Sequence, residues 1–175
     1  HCSQPNGSDL TGGSQIPQDA VVQDYVSVPG LQKATIKSGN VTLAEGDFLN
    51  GLHHGTWTTY DPDGKVKSLT TYLKGKKQGV ELTFDKVGYV TSKAYYHNDA
   101  LSGEYLLYKR RKIVERRHYV KGLLDGLQQR FYTDGTLMEE KTYVNNTIDG
   151  QAKWYDQEGN LTIDYTYNMG ELVEE

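Results

Sequence analysis

The stretch that decides the fold is "FYTDGTLMEEKTYVNNTIDGQAKWYDQEGNLTIDYTY", residues 131–167, which says nearly the same thing twice. Phe131-x-x-x-Gly135-x-Leu137 returns as Tyr155-x-x-x-Gly159-x-Leu161, and a tyrosine follows six residues after each leucine, at Tyr143 and Tyr167. Extending outward from one glycine gives anchors at Gly55, Gly79, Gly103, Gly126 and Gly150, spaced 24, 24, 23 and 24 residues apart. Four residues before the anchors stand Gly51, Gly75, Asp99, Gly122 and Asn146, all types that tolerate positive φ. Five residues after them come Tyr60, Phe84, Tyr108, Phe131 and Tyr155, then the aliphatics Val66, Val90, Ile113, Leu137 and Leu161. Six residues further come Tyr72, Tyr96, Tyr119, Tyr143 and Tyr167. Four residue classes in phase over five copies identify an internal repeat. One period upstream, Leu31, Ile36 and Phe48 mark a worn first copy, and Gly170 begins a further turn.

Between aromatic and aliphatic lie "DPDGK", "DKVGY", "YTDGT" and "DQEGN", each with its glycine. They fit a type I turn followed by a left-handed glycine. The flanks "TWTTY" and "VKSLTTY" have the Thr, Tyr and Val content of strands. Alternation places Val66 and Tyr72 on one face. The other connection, Tyr-x-x-Gly-x-x-x-Gly as in "YLKGKKQG", returns the chain to the next hairpin. A lone hairpin is marginal in water, so the copies must stack. The expected fold is all-β: an elongated single-layer antiparallel sheet of tandem hairpins of about 24 residues, each tyrosine packing on its neighbour's. The division is a polar tether over residues 1–30 with room for a first strand, then an array over 31–175. Its copies are 31–54 (degenerate), 55–78, 79–102, 103–125, 126–149 and 150–173.

Composition agrees with a thin sheet. Hydrophobic residues make up 36%, low for a thick core, while tyrosines number 14. The net charge of −4 speaks against nucleic acid as a partner and against general attraction to anionic lipid. No apolar run approaches the roughly 20 residues that span a bilayer as helix.

The phrases "NGLHHGTWTTYDPDGKV", "KGKKQGVELTFDKVGYV", "KGLLDGLQQRFYTDGTL" and "DGQAKWYDQEGNL" resemble the MORN-repeat family, in particular the bacterial MORN-repeat-variant proteins often labelled antitoxin-like. The resemblance covers residues 46–170 well and 31–45 poorly. It implies an elongated, curved, single-layer sheet that serves as a scaffold and interaction surface. Lipid binding is proposed for some relatives. Separately, Cys2 heads the polar run "CSQPNGSDLTGGSQIPQD", which resembles the start of a mature bacterial lipoprotein, although His1 is not the small residue that usually precedes such a cysteine. That resemblance implies a lipid on Cys2 and a place at the cell envelope, outer membrane or surface, with the lipid as the membrane contact. A single cysteine also permits no intrachain disulfide.

The third copy breaks the rule. In "YKRRKI", Tyr108 to Ile113, the loop is one residue shorter and its glycine is gone. A changed turn type follows, with the risk of a register slip. Lys109, Arg110, Arg111, Lys112, Arg116 and Arg117 form a candidate partner-binding patch; the alternative is a solvated turn whose charges discourage edge association. Chemistry is harder to find. His53, His54, His97 and His118 fall at different phases, so no metal site is expected, and no cofactor motif is present. The many turn aspartates suit turns rather than acid–base pairs. Trp57 and Trp154 sit at different phases and read as packing residues rather than a sugar platform.

The expectation is a non-enzymatic scaffold for an unidentified protein partner, as monomer or edge-paired dimer. A cytoplasmic antitoxin or immunity protein that masks a toxin is the alternative. A carbohydrate-binding or carbohydrate-active protein would need Trp57, Trp154 and nearby acids on one concave face.

Overall fold

The computed structural model describes residues 16–173; Cys2, the rest of the tether to residue 15 and the last two glutamates lie outside the described residues. The strands are β1 (Ala20–Asp24), β2 (Leu31–Ser38), β3 (Val41–Leu49), β4 (Leu52–Tyr60), β5 (Val66–Leu73), β6 (Lys76–Phe84), β7 (Val90–His97) and β8 (Ala100–Leu101). They continue as β9 (Gly103–Lys109), β10 (Lys112–Val120), β11 (Leu123–Leu124), β12 (Gly126–Phe131), β13 (Leu137–Val144), β14 (Thr147–Tyr155), β15 (Leu161–Asn168) and β16 (Glu171–Leu172). All belong to one antiparallel sheet in which neighbours in sequence are neighbours in space. The short β8 and β11 are the first residues of return strands that resume as β9 and β12 after Ser102 and Asp125. The sheet also extends upstream of the array, because β1 pairs with β2 from Ala20↔Ile36 to Asp24↔Gln32.

Two irregularities recur and set the phase. The first lies at the anchor glycines. Thr70 pairs with Glu81 and Tyr72 with Lys77, so the return strand carries two more residues than its partner, around Gly79. The same surplus surrounds Gly55 and Gly150. All five anchors have positive φ, from 67° at Gly55 to 109° at Gly150. On its other side each anchor faces a ladder tyrosine: Gly55↔Tyr72, Gly79↔Tyr96, Gly103↔Tyr119, Gly126↔Tyr143 and Gly150↔Tyr167. The ladder is therefore interleaved. Lys77 stands between Tyr72 and Tyr96, and Leu101 between Tyr96 and Tyr119. Successive ladder tyrosines sit two strands apart, about 9.5 Å, which corrects the expectation that each ring packs directly on the next.

The second irregularity is a one-residue bulge after each hairpin loop. Tyr60 pairs with Val66 but Thr59 with Ser68, leaving Lys67 over. This breaks the simple alternation: Val66 shares a face with Tyr60, while Ser68, Thr70 and Tyr72 occupy the opposite one. Val66 and Tyr72 are thus on different faces, because an extra residue inverts side-chain parity. The loops themselves match the expected turn, with Gly64, Gly88, Gly135 and Gly159 all left-handed. The N–H of Gly64 donates to the Asp61 carbonyl at 2.9 Å, and Asp61 Oδ1 accepts from the backbone N–H of Asp63 and Lys65.

The buried side chains concentrate on the face carrying Tyr72. Ala34, Ile36, Ala44, Phe48, Trp57 and Tyr72 form the core cluster, with Ile16 and Ala20 packed against it. Phe48 is fully buried at 0% exposure although the strands of the described residues form a single sheet. A bulge bends its strand and increases the local twist, and both kinds recur along this sheet.

Candidate binding surfaces

The inner face of the first copies holds a hollow of about 310 Å³, with His53, Trp57 and Tyr72 on one wall and Thr59, Ser68, Thr70 and Thr83 among the lining hydroxyls. Its construction begins at the register. Pairing sets Phe48 opposite His53 and Gly55 opposite Tyr72, so their rings meet across strands. The His53 ring lies 4.8 Å from Phe48, 4.4 Å from Trp57 and 5.0 Å from Tyr72. Trp57 crosses edge-on to Phe48 at 5.0 Å, and its Nε1–H donates to the Asp47 carbonyl at 2.9 Å. The indole lies flat against Gly46, where a Cβ would come within 2.4 Å of the ring. Burial pushes the His53 pKa below its ordinary 6.5, keeping the imidazole neutral, and raises that of Tyr72. On the hollow's far side Lys77 Nζ pairs with Glu81 at 2.6 Å and sits 4.7 Å over the Tyr96 ring. Burial and the nearby Glu81 carboxylate push the Tyr96 phenol up to about 12. An apolar wall facing a charged pair and several hydroxyls can seat one amphipathic group.

Further along, the inner face turns polar. A second hollow of about 270 Å³ is lined by Glu115, Arg117, Gln128, Arg130, Glu139 and Lys141 among others. Arg117 pairs with Glu115 at 2.7 Å, and Lys141 with Glu139 at 3.1 Å. Trp154 Nε1–H donates to Glu139 Oε2 at 2.9 Å, and Lys141 Nζ stands 4.8 Å over its ring. Trp57 and Trp154 are both used locally. They lie eight strands apart in the sheet order, about 38 Å measured along it.

The short loop of the third copy leaves the register intact. Arg110 and Arg111 form a two-residue turn with φ of 51° and 68°, closed by the pair Lys109↔Lys112. Ile113 pairs with Tyr108 and Glu115 with Leu107, reproducing the bulge of the other copies with Val114 left over. The deletion is absorbed before the strand begins, so no slip follows. The six cationic residues then divide. Arg117 faces inward beside Glu115; Arg116 lies on the opposite face, paired with Glu104 at 3.2 Å. Lys109 to Lys112 stay together and exposed at the hairpin tip. There the Arg111 guanidinium lies 5.2 Å from the Tyr89 ring centre, and Lys112 Nζ donates to the Asp134 carbonyl at 2.8 Å.

The histidines also separate. His53 is in the aromatic stack, His97 accompanies Gln78 at the return edge at 3.1 Å, and His118 Nδ1 meets the Asp125 carbonyl at 2.8 Å. Among the described residues no group of three His, Cys, Asp or Glu side chains converges as metal ligands would. The inner hollow was not anticipated from the sequence. Its only early signal was the aromatic residue Trp57 at an inward position where later copies carry Glu81, Tyr105, Gln128 and Ala152.

Three segments of the chain, residues 54–74, 124–145 and 148–169, match the family model of the MORN repeat variant. Each begins within or just before a return strand and ends at the following return turn, so the match spans one structural copy at a time. No curated protein matches the chain.

Proposed function

We propose that this chain is a non-catalytic scaffold whose inner sheet face binds a protein partner. MORN repeats are in general associated with scaffolds that bind proteins or membranes. The observation that carries the narrower reading is the hollow between Trp57, Tyr72 and the Lys77–Glu81 pair. At about 310 Å³ it sits at the small end of ligand pockets. It suits one large side chain of a partner laid across the sheet, the anchor-in-pocket arrangement that dominates protein recognition. The rigid wall behind it lowers the ordering cost of such an interaction.

The experiment places a photo-crosslinking residue at Thr70, which faces the hollow, and separately at Thr71 on the opposite face. The reading predicts one discrete adduct from position 70, none from 71, and loss of that adduct when Thr59→Arg and Thr83→Arg fill the hollow. Equal adducts from both faces, or an adduct indifferent to the filling substitutions, contradict it. An adduct with a cytoplasmic toxin would support the antitoxin version of the same binding role.

The finer part of the proposal is an envelope tether through a lipid on Cys2, supported by the polar composition of the run that follows it. Intact-mass measurement of the protein from its own host tests it. Acyl mass lost on Cys2→Ala together with membrane association supports the tether; an unmodified soluble product refutes it.

A further inference from the structure

The exposed tip between β9 and β10 departs from two local rules at once, and the contacts its side chains make among the described residues, Arg111 against Tyr89 and Lys112 on the Asp134 carbonyl, include no carboxylate. Seven two-residue turns in the sheet have left-handed φ at both central positions. At the second position six of them carry Gly51, Gly75, Asp99, Gly122, Asn146 or Gly170. Where a side chain is present among those six, it has a use: Asp99 Oδ1 accepts the Lys77 N–H and Asn146 Oδ1 the Leu124 N–H, both at 2.7 Å. The seventh turn places Arg111 there at φ 68°, a conformation that Asn and Gly adopt readily and arginine does not. The second violation is the directly paired Lys109 and Lys112, like charges set face to face. None of the ion pairs among the described residues involves Lys109, Arg110, Arg111 or Lys112. Residues 109–117 hold six of the chain's 19 lysines and arginines and one acid, in a chain of net charge −4.

We propose that this tip is a docking site for an acidic peptide segment of a protein partner, gripped by Arg110 and Arg111 with Lys109 at its side. Local rule-breaking retained in a folded chain is characteristic of functional positions. The Arg111 guanidinium, 5.2 Å from the Tyr89 ring centre, is held there by a cation–π contact that uses none of its N–H donors, which leaves them for a bidentate carboxylate. A peptide fits better than a membrane plane. The neighbouring hairpin loops on the same edge present Asp61, Asp85, Asp134 and Asp156, which an anionic bilayer would meet together with the tip and a narrow peptide would avoid. This site is independent of the inner hollow and does not rest on its occupancy.

The test uses the whole chain and a fluorescein-labelled decaglutamate peptide, followed by anisotropy at about 50 mM and about 300 mM salt. The double substitution Arg110→Asn, Arg111→Gly installs the relaxed turn sequence and removes the grip. It is expected to weaken binding about tenfold while raising the melting temperature. Arg116→Gln, on a residue already paired with Glu104, is expected to leave binding unchanged. Undiminished binding by the double variant, no binding by the unmodified chain, or tighter association with phosphatidylserine vesicles than with the peptide would each overturn the proposal.

Discussion

At the scale of single residues, the protein is held by a few positions where chemistry leaves little choice. Gly46 is one, because the Trp57 ring occupies the space a methyl group would need. Gly46→Ala must displace the indole from its hydrogen bond to the Asp47 carbonyl. The expected loss is about 2 kcal/mol, read as a lower urea midpoint with unchanged slope. His53 is another. Its pKa is lowered by burial, so the folded state holds it neutral while the unfolded chain protonates near 6.5. In that window the unfolded state binds more protons, and stability is lost as pH falls below about 6.5 until the folded pKa is passed. Urea midpoints taken from about pH 7 down to about pH 5 should decline for the unmodified chain, and His53→Phe should remove that part of the slope. The glycine anchors and the tyrosines were legible in the sequence because they recur. Gly46 and His53 were not, since their roles depend on neighbours across strands that do not repeat.

At the scale of the element, each return turn is tied to the previous one. The N–H of Gly75 donates to the His53 carbonyl, that of Asp99 to Lys77, Gly122 to Leu101, Asn146 to Leu124 and Gly170 to Ile148, at 2.7 to 3.0 Å. The residue just before the anchor adds a second tie in three copies. Gln78 accepts from the Asn98 N–H at 3.2 Å, and Asp125 and Asp149 from those of Asn145 and Met169 at 3.4 Å. In the first copy this position is His54, whose Nδ1 is buried without a hydrogen-bond partner. His54→Gln, matching Gln78 of the next copy, should offer an acceptor toward the Lys74 N–H without setting a second carboxylate opposite Asp47, and stabilise by about 0.5–1 kcal/mol, visible as a raised melting temperature. The sequence located every one of these turns, because Gly, Asn and Asp mark positive φ. It could not locate the bulge residues, such as Lys67 and Val114, whose identities vary because nothing pairs with them. That omission is why the face of Val66 was misread: period-two alternation holds only between bulges.

At the scale of the whole molecule, the sheet is a sum of copies joined edge to edge, and among the described residues strand pairing runs only between neighbours in the sheet order. Its two ends differ. The aromatic cluster lies under β2 to β5, whereas β15 is exposed along nearly all its length, with Leu161, Ile163 and Tyr165 at 40–50%. The repeat made this architecture readable, but not the hollow or the split of the basic cluster, which follow from the face each strand presents after its bulge. If the register rather than any one copy defines the fold, whole copies should be removable and fractions should not. The most direct test excises residues 79–102, joining Gln78 to Gly103 at equivalent phase, and compares it with an excision of half that length from the same site. The account predicts that the full-period deletion keeps a strand-type circular dichroism spectrum and a cooperative melt at somewhat lower temperature, while the half-period deletion loses cooperativity. A full-period deletion that fails to fold, or a half-period deletion that melts equally well, would contradict it.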